Sequence, residues 1–264
     1  MNYLKKYSNA PGFAKIVKKN DMGLKLIEFG LIALRKGEEY EASNGEHETV
    51  LIVLGGRCDV MGGDFQFKNV GDRKDVFSGK PHAVYIPARG KYKIKALSEL
   101  EVAWTETPSS LALKPGHIKP AAVKSVSIGS GNFTREALMI IDESFQCGHF
   151  IIGEAIVPPG NWASYPPHKH DFDNLPDEVN MEEIYFFRFN PPQGFGIQKI
   201  YNDRRTIDET CTVRNNDVAG IPKGYHPVVG APGYVMYYLW IMAGGKNRKF
   251  LSHKDPAHAW VAEK

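Results

Sequence analysis

Cysteine is scarce. Cys58, Cys147 and Cys211 are three in 264 residues, an odd number, widely spaced and without a CxxC pair. Neither a disulfide framework nor a zinc ribbon is indicated, and a reducing cytoplasm fits that usage. Apolar runs of membrane length are missing as well. The longest, "YVMYYLWIMAGG" from Tyr234, is about half of what a membrane span requires, so no membrane partner is expected. The formal net charge of +3 is small for the length, and the basic residues are dispersed rather than gathered into a run that tracks a phosphate backbone. Nucleic acid is therefore not an expected partner, and no helical DNA-binding segment is present. The one conspicuous basic cluster, "LKKYSNAPGFAKIVKKN", has neither the apolar core nor the cleavage site of a signal peptide and reads as a surface arm.

Helical periodicity is also scarce. In its place, short β-rich runs separated by Gly, Pro, Asn and Asp recur from Leu24 to Gly244, the spacing of an all-β sandwich or barrel. A weak internal repeat divides these runs. "GLIALRKGEEYEASNGEHETVLIVLGG" is a strand, a Gly turn, a polar loop and a strand, and "GEAIVPPGNWASYPPHKH" followed by "MEEIYFFRFNPPQG" repeats that order. "VYIPARGKYKIKAL" likewise parallels "AGIPKGYHPVVGAPGYVMYYL". Two similar barrels follow. Trp104 to Ile141 reads as their connector, with the boundary near residue 140, giving units 1–140 and 141–264.

Among nine histidines, His168 and His170 stand one residue apart in "SYPPHKHD". In an extended segment such a pair points to one side, which favours two imidazoles converging on one ion. The next carboxylates attached to a strong β run are Glu182 and Glu183 in "MEEIYFFRF", and a third histidine, His226, sits in "IPKGYHP". Three imidazoles and one carboxylate suit one divalent ion of zinc, manganese or iron(II) better than calcium. Parity groups Glu183 with Tyr185 and Phe187, and Glu182 with Ile184 and Phe186. A tyrosine is the more useful neighbour in a polar cavity, so Glu183 is the preferred ligand and Glu182 the alternative. The first half has one histidine in "GEHE" and none in "IPARGKYK", so its barrel reads as metal-free and His47 as a surface residue. His82, His117, His149, His253 and His258 read as lone structural or surface groups.

The order of two close His, a Glu opening a strand and a lone His after an Ile-Pro-x-Gly turn resembles the metal signature of the cupins. More widely, "GNWASYPPHKHD", "EEIYFFRFNPPQGF", "IYNDRRTIDET", "PKGYHPVVGAPGYVMYYL" and "DPAHAW" resemble the 5-deoxy-glucuronate isomerases of bacterial inositol catabolism. "GDRKDVFSGKPHAVYIPARG" and "GSGNFTRE" extend the likeness to the first half and the connector. The resemblance implies two cupin jelly-roll barrels in one chain and a cytoplasmic enzyme open to homo-oligomerisation. Its reaction would be the isomerisation of the aldose acid 5-deoxy-D-glucuronate to the ketose 5-dehydro-2-deoxy-D-gluconate. Arg204, Phe187 and Trp240 depart from the family pattern. Trp240 resembles instead the sister family that isomerises 5-keto-4-deoxyuronate in pectin breakdown.

Such a reaction shifts hydrogen between adjacent carbons, with or without a protein base. Tyr185, Asp203, Tyr225 and Tyr238 are the candidates for proton transfer. The carboxylate of a deoxy uronic acid needs a cation, for which Lys223 or Arg188 is offered, although strand parity disfavours Arg188. An iron-dependent cupin dioxygenase and a non-enzymatic sugar-binding cupin are the competing classes, and turnover without oxygen separates the first from an isomerase.

Overall fold

The computed structural model describes residues 2–263. Its regular structure is antiparallel β apart from four 3-10 turns. The first barrel sets a six-stranded sheet beside a four-stranded one. The larger runs in the order Gly116–Ile118, Ala83–Ile86, His47–Gly55, Leu100–Pro108, Glu28–Leu34, Gly12–Val17, and the smaller Glu39–Ser43, Lys91–Ala96, Cys58–Gly62, Gln66–Val70. The second barrel has a seven-stranded sheet in the order Leu4–Lys6, Asp217–Ile221, Met181–Asn190, Val235–Gly244, Phe150–Val157, Arg135–Ile141, Lys124–Ile128. Its smaller sheet is Trp162–Ala163, Val228–Gly230, Phe195–Tyr201, Asp208–Arg214. The fold is all-β, two cupin barrels in one chain.

The larger sheets of the two barrels pack against each other, which explains why their central strands read as continuous apolar runs instead of alternating. Along Met181–Asn190, Tyr185, Phe187 and Phe189 fill the second barrel, while Ile184 and Phe186 join a core shared with Phe29, Leu31, Val50 and Ile52 of the first. Phe29 and Phe186 meet there with ring centroids 5.5 Å apart. Burying one such ring is worth about 1.5–3 kcal/mol.

Buried carboxylates tie this seam. Glu182 accepts the backbone N–H groups of Lys25, Leu26 and Ile27, each at 2.7 Å. Glu48 accepts those of Gly148 and His149 at 2.7 and 2.8 Å. Arg73 donates to both oxygens of Glu154 at 2.9 and 2.6 Å, and the Tyr237 hydroxyl donates to the same carboxylate at 2.8 Å.

Two expectations need correction. The basic segment at the chain start is not an arm, because Leu4–Lys6 pairs with Asp217–Ile221 and Gly12–Val17 with Glu28–Leu34, closing an edge of each large sheet. The boundary near residue 140 falls inside the strand Arg135–Ile141. That strand and Lys124–Ile128 both hydrogen-bond within the second barrel's sheet, so sheet membership changes between Ile118 and Lys124. Lys124–Ile128 is an almost wholly exposed edge strand, and without an inner face it carries no alternating pattern to read.

Candidate metal centre

Three local devices aim the candidate ligand side chains. His168–Lys169 pairs with His253–Lys254, and alternation sends His168 and His170 inward while Lys169 turns out toward Glu178 at 3.5 Å. Glu183 rides the inner face of Met181–Asn190. His226 follows Gly224, whose φ of +100° suits glycine and where a Cβ would stand 2.6 Å from the carbonyl oxygen of Tyr201. Gly224 also donates its N–H to Asp171 at 2.7 Å.

The ligand atoms of His170, Glu183 and His226 lie within 4.8 Å of one another, all buried, and no other such group of His, Cys, Asp or Glu forms among the described residues. Glu183 Oε2 is 3.1 Å from His170 Nε2 and 3.2 Å from His226 Nε2. His168 stands beside this trio, its ring centroid 4.8 Å from that of His226. Each imidazole turns Nδ1 toward a backbone carbonyl: His168 to Pro166 at 3.4 Å, His170 to Met181, and His226 to Gly224 at 2.8 Å. A carbonyl only accepts, so Nδ1 carries the proton and Nε2 presents a lone pair to the centre. His226 Nε2 is buried with no hydrogen-bond partner. Lone pairs facing a carboxylate oxygen call for a cation between them, and carbonyls behind ligand imidazoles are the usual way of fixing their tautomer. The donor set fits a divalent ion with nitrogen and oxygen ligands.

Burial pulls His168 down to about 3, with His226 and His170 adding to the effect, so it stays neutral. Burial pushes Glu183 up, but His170 and His226 beside its Oε2 outweigh that and hold it at about 2, so it is the anionic member of the set.

The centre forms one wall of a cavity of about 70 Å³. Tyr185 and Tyr238 line it with ring centroids 4.4 Å apart, and the Tyr185 hydroxyl meets Ser164 Oγ at 2.6 Å. Burial raises both phenols above their ordinary value, which keeps them protonated. Trp240 also lines the cavity. Its indole lies over Gly153, where a Cβ would come within 2.3 Å of it, and Phe250 covers it at 5.6 Å. Arg135, Ala137 and Met139, alternate residues of one strand, complete the far side. A larger groove of about 600 Å³ along the seam between the barrels gathers no comparable cluster, and Arg188 there is already paired with Glu101.

Of the residues singled out from sequence, His168, His170, Glu183, Tyr185 and Tyr238 line this one cavity, with His226 against it. The others do not. Arg188 faces away on the Ile184 and Phe186 side and pairs with Glu101 at 2.5 Å. Glu182 shares that outer face. Tyr225 directly precedes His226, so it points the opposite way, and its hydroxyl donates to exposed Asp203 at 2.8 Å. Lys223 is exposed, 5.6 Å over the Phe172 ring. His82 and His117 are not alone but bond each other at 2.9 Å. Sequence reasoning missed Arg135, Ser164 and Phe250. The available signal was that "GSGNFTRE" and "SYPPHKHD" already belong to the distinctive blocks.

Residues 4–261 match the KduI/IolB family. A curated 5-deoxy-glucuronate isomerase of Geobacillus kaustophilus is 39% identical over 256 residues, 97% of this chain and 92% of that protein. The crystal structure of an IolB-like protein from Salmonella typhimurium superposes with a TM-score of 0.95 at 33% identity, covering 99% of each chain. Lactobacillus farciminis oxalate decarboxylase superposes with a TM-score of 0.70 at 11% identity, over 96% of this chain and 88% of that one, a likeness of fold alone. With sequence and architecture matched from end to end, the chain belongs to the KduI/IolB family.

Proposed function

We propose that the chain is a metal-dependent aldose-ketose isomerase converting 5-deoxy-D-glucuronate to 5-dehydro-2-deoxy-D-gluconate. The carrying observation is the set of imidazole lone pairs converging on Glu183 Oε2 at the wall of a cavity otherwise lined by hydroxyls, apolar groups and Arg135. His168, His170, Glu183 and His226 would hold one zinc, manganese or iron(II) ion. Bound there, the ion would polarise adjacent carbonyl and hydroxyl oxygens and favour the charge that develops as hydrogen leaves carbon.

The chain's own groups orient the sugar. The protonated phenols of Tyr185 and Tyr238 donate to substrate oxygens, and Ser164 fixes the Tyr185 hydroxyl from behind. Ala137, Met139, Ala155 and Trp240 exclude water from the reacting carbons. About 70 Å³ holds roughly two waters, and a six-carbon acid is larger. Phe250, half exposed, forms the solvent-facing part of the cavity wall.

Trp240 in the cavity wall gives weight to a second substrate, 5-keto-4-deoxyuronate. Following both compounds by NMR under argon tests the reading. Turnover is expected without oxygen, with kcat/KM favouring 5-deoxy-glucuronate by about 10- to 200-fold, the range that apolar wall differences supply. A reversed preference overturns the substrate, and a need for oxygen overturns the reaction class.

A further inference from the structure

We infer that Arg135 anchors the substrate carboxylate and so makes an acid group, at the end of the sugar away from the ligand cluster, a requirement for tight binding. The assignment rests on the isomerase reading above. Arg135 opens the strand Arg135–Ile141, and alternation puts it on the face of Ala137 and Met139, which are cavity walls. It is the one Lys or Arg among the residues lining the cavity.

Its guanidinium meets no carboxylate among the described residues. The hydrogen bonds it donates, both from Nη1 at 3.2 Å, go to the backbone carbonyls of Phe133 and Tyr165. Those carbonyls hold the group in place without neutralising it, and they leave Nε and Nη2 available. The arginines at the barrel seam differ, since Arg73 is paired with Glu154 and Arg188 with Glu101. A half-buried cation kept without a counter-charge costs desolvation that an arriving anion repays. The planar fork of Arg matches a carboxylate with two parallel hydrogen bonds, which a point charge does not. The ligand cluster takes carbonyl and hydroxyl oxygens and the Arg135 fork takes a carboxylate, so the two groups sort the two ends of a uronic acid.

The test compares 5-deoxy-glucuronate with its neutral C6 amide, following isomerisation by NMR with the metal-loaded protein and with Arg135→Ala. The wild-type protein should prefer the acid by about 10- to 100-fold in kcat/KM, mostly through KM, the range of a charge-assisted pair. Arg135→Ala should lose about that factor on the acid and less than about threefold on the amide, with metal content unchanged. Arg135→Lys, which keeps the charge and loses the fork, should fall between. Equal losses on both substrates would mean that Arg135 only props Phe133 and Tyr165, and would overturn the assignment. Absence of an acid preference in the wild type overturns it too, and needs no variant to fold. Turnover of neither compound by the wild type overturns the isomerase reading and this assignment with it, whereas equal turnover of both overturns the assignment alone.

Discussion

Thr49 in the first barrel and Glu183 in the second occupy the same place on corresponding strands. Beyond them, Val50 and Ile52 face the seam as Ile184 and Phe186 do, and Leu51 and Val53 face inward as Tyr185 and Phe187 do. The parallel reaches the neighbouring strands, where Trp104 stands opposite Gly30 in one barrel and Trp240 opposite Gly153 in the other. Thr49 is paired with Glu106, and Glu183 with Met242. The first barrel therefore keeps a buried inward carboxylate, Glu106, displaced by one strand and opposite Glu28 on the next, but its "IPARGKY" turn brings no imidazole to it. Burial then dominates at Glu106 and pushes it up to about 7, whereas Glu183 among imidazoles is held at about 2. Equivalent pockets in one architecture give opposite acids because the loops, not the strands, carry the histidines.

The largest effect expected from this asymmetry is on metal. Elemental analysis should find about one divalent ion per chain, and His226→Ala should lose most of it together with more than about 100-fold of activity, while circular dichroism shows an intact fold. Two ions per chain would break the comparison.

What the barrels share is testable at the seam. Glu48 and Glu182 precede Thr49 and Glu183 and do the same work from opposite sides, each accepting amide N–H groups from a loop of the other barrel. Glu48→Gln and Glu182→Gln should each cost about 1.5–3 kcal/mol in denaturant unfolding, because an amide NH₂ is set against donors that needed an acceptor. Neither should change metal affinity. Glu183→Gln should do the reverse, and equal metal loss from Glu182→Gln and Glu183→Gln would mean that the inner and outer faces are misassigned.

That pair also marks how far the sequence could be read. Period-two alternation along "MEEIYFFRFN" separates Glu183 from Glu182 and disfavours Arg188, and the spacing of His168, His170 and His226 assembles the rest of the centre. Tyr225 and Asp203 fall outside the cavity for different reasons: Tyr225 is adjacent to His226, and adjacent residues of an extended segment point apart, while Asp203 is exposed and accepts the Tyr225 hydroxyl. Arg135 comes from a distant strand, and the register that brings Ala137 opposite Ala155 and Ala155 opposite Tyr238 is a tertiary fact with no local signal. Leu4–Lys6 was unreadable for another reason. A three-residue edge strand borrows its conformation from Asp217–Ile221 and has no periodicity of its own.

The smallest expected effect isolates the displaced carboxylate. Glu106 is buried, and its contact to a neutral group is the Thr49 hydroxyl, which donates to Oε1 at 2.8 Å. Burial raises it to about 7, and the Thr49 bond and the charge of Lys15 only partly offset the rise. In the unfolded chain the same group titrates near its ordinary value of 4.5. Between those values the folded state holds a proton that the unfolded state has released, so this group's contribution to stability falls as pH rises and levels off above about 7. Glu106→Gln keeps an acceptor for Thr49 and removes the titration. Relative to wild type it should be nearly neutral at pH 5 and more stable at pH 8, on the order of 1–2 kcal/mol once relaxation around the site is allowed for. The difference between variant and wild type in urea unfolding is the quantity to compare, since protonation of the metal ligands affects both proteins alike and cancels. An equal difference at the two pH values would mean that Glu106 is ionised in the folded barrel, paired by charges reaching it from Lys15, and that the two carboxylates differ less than their surroundings imply.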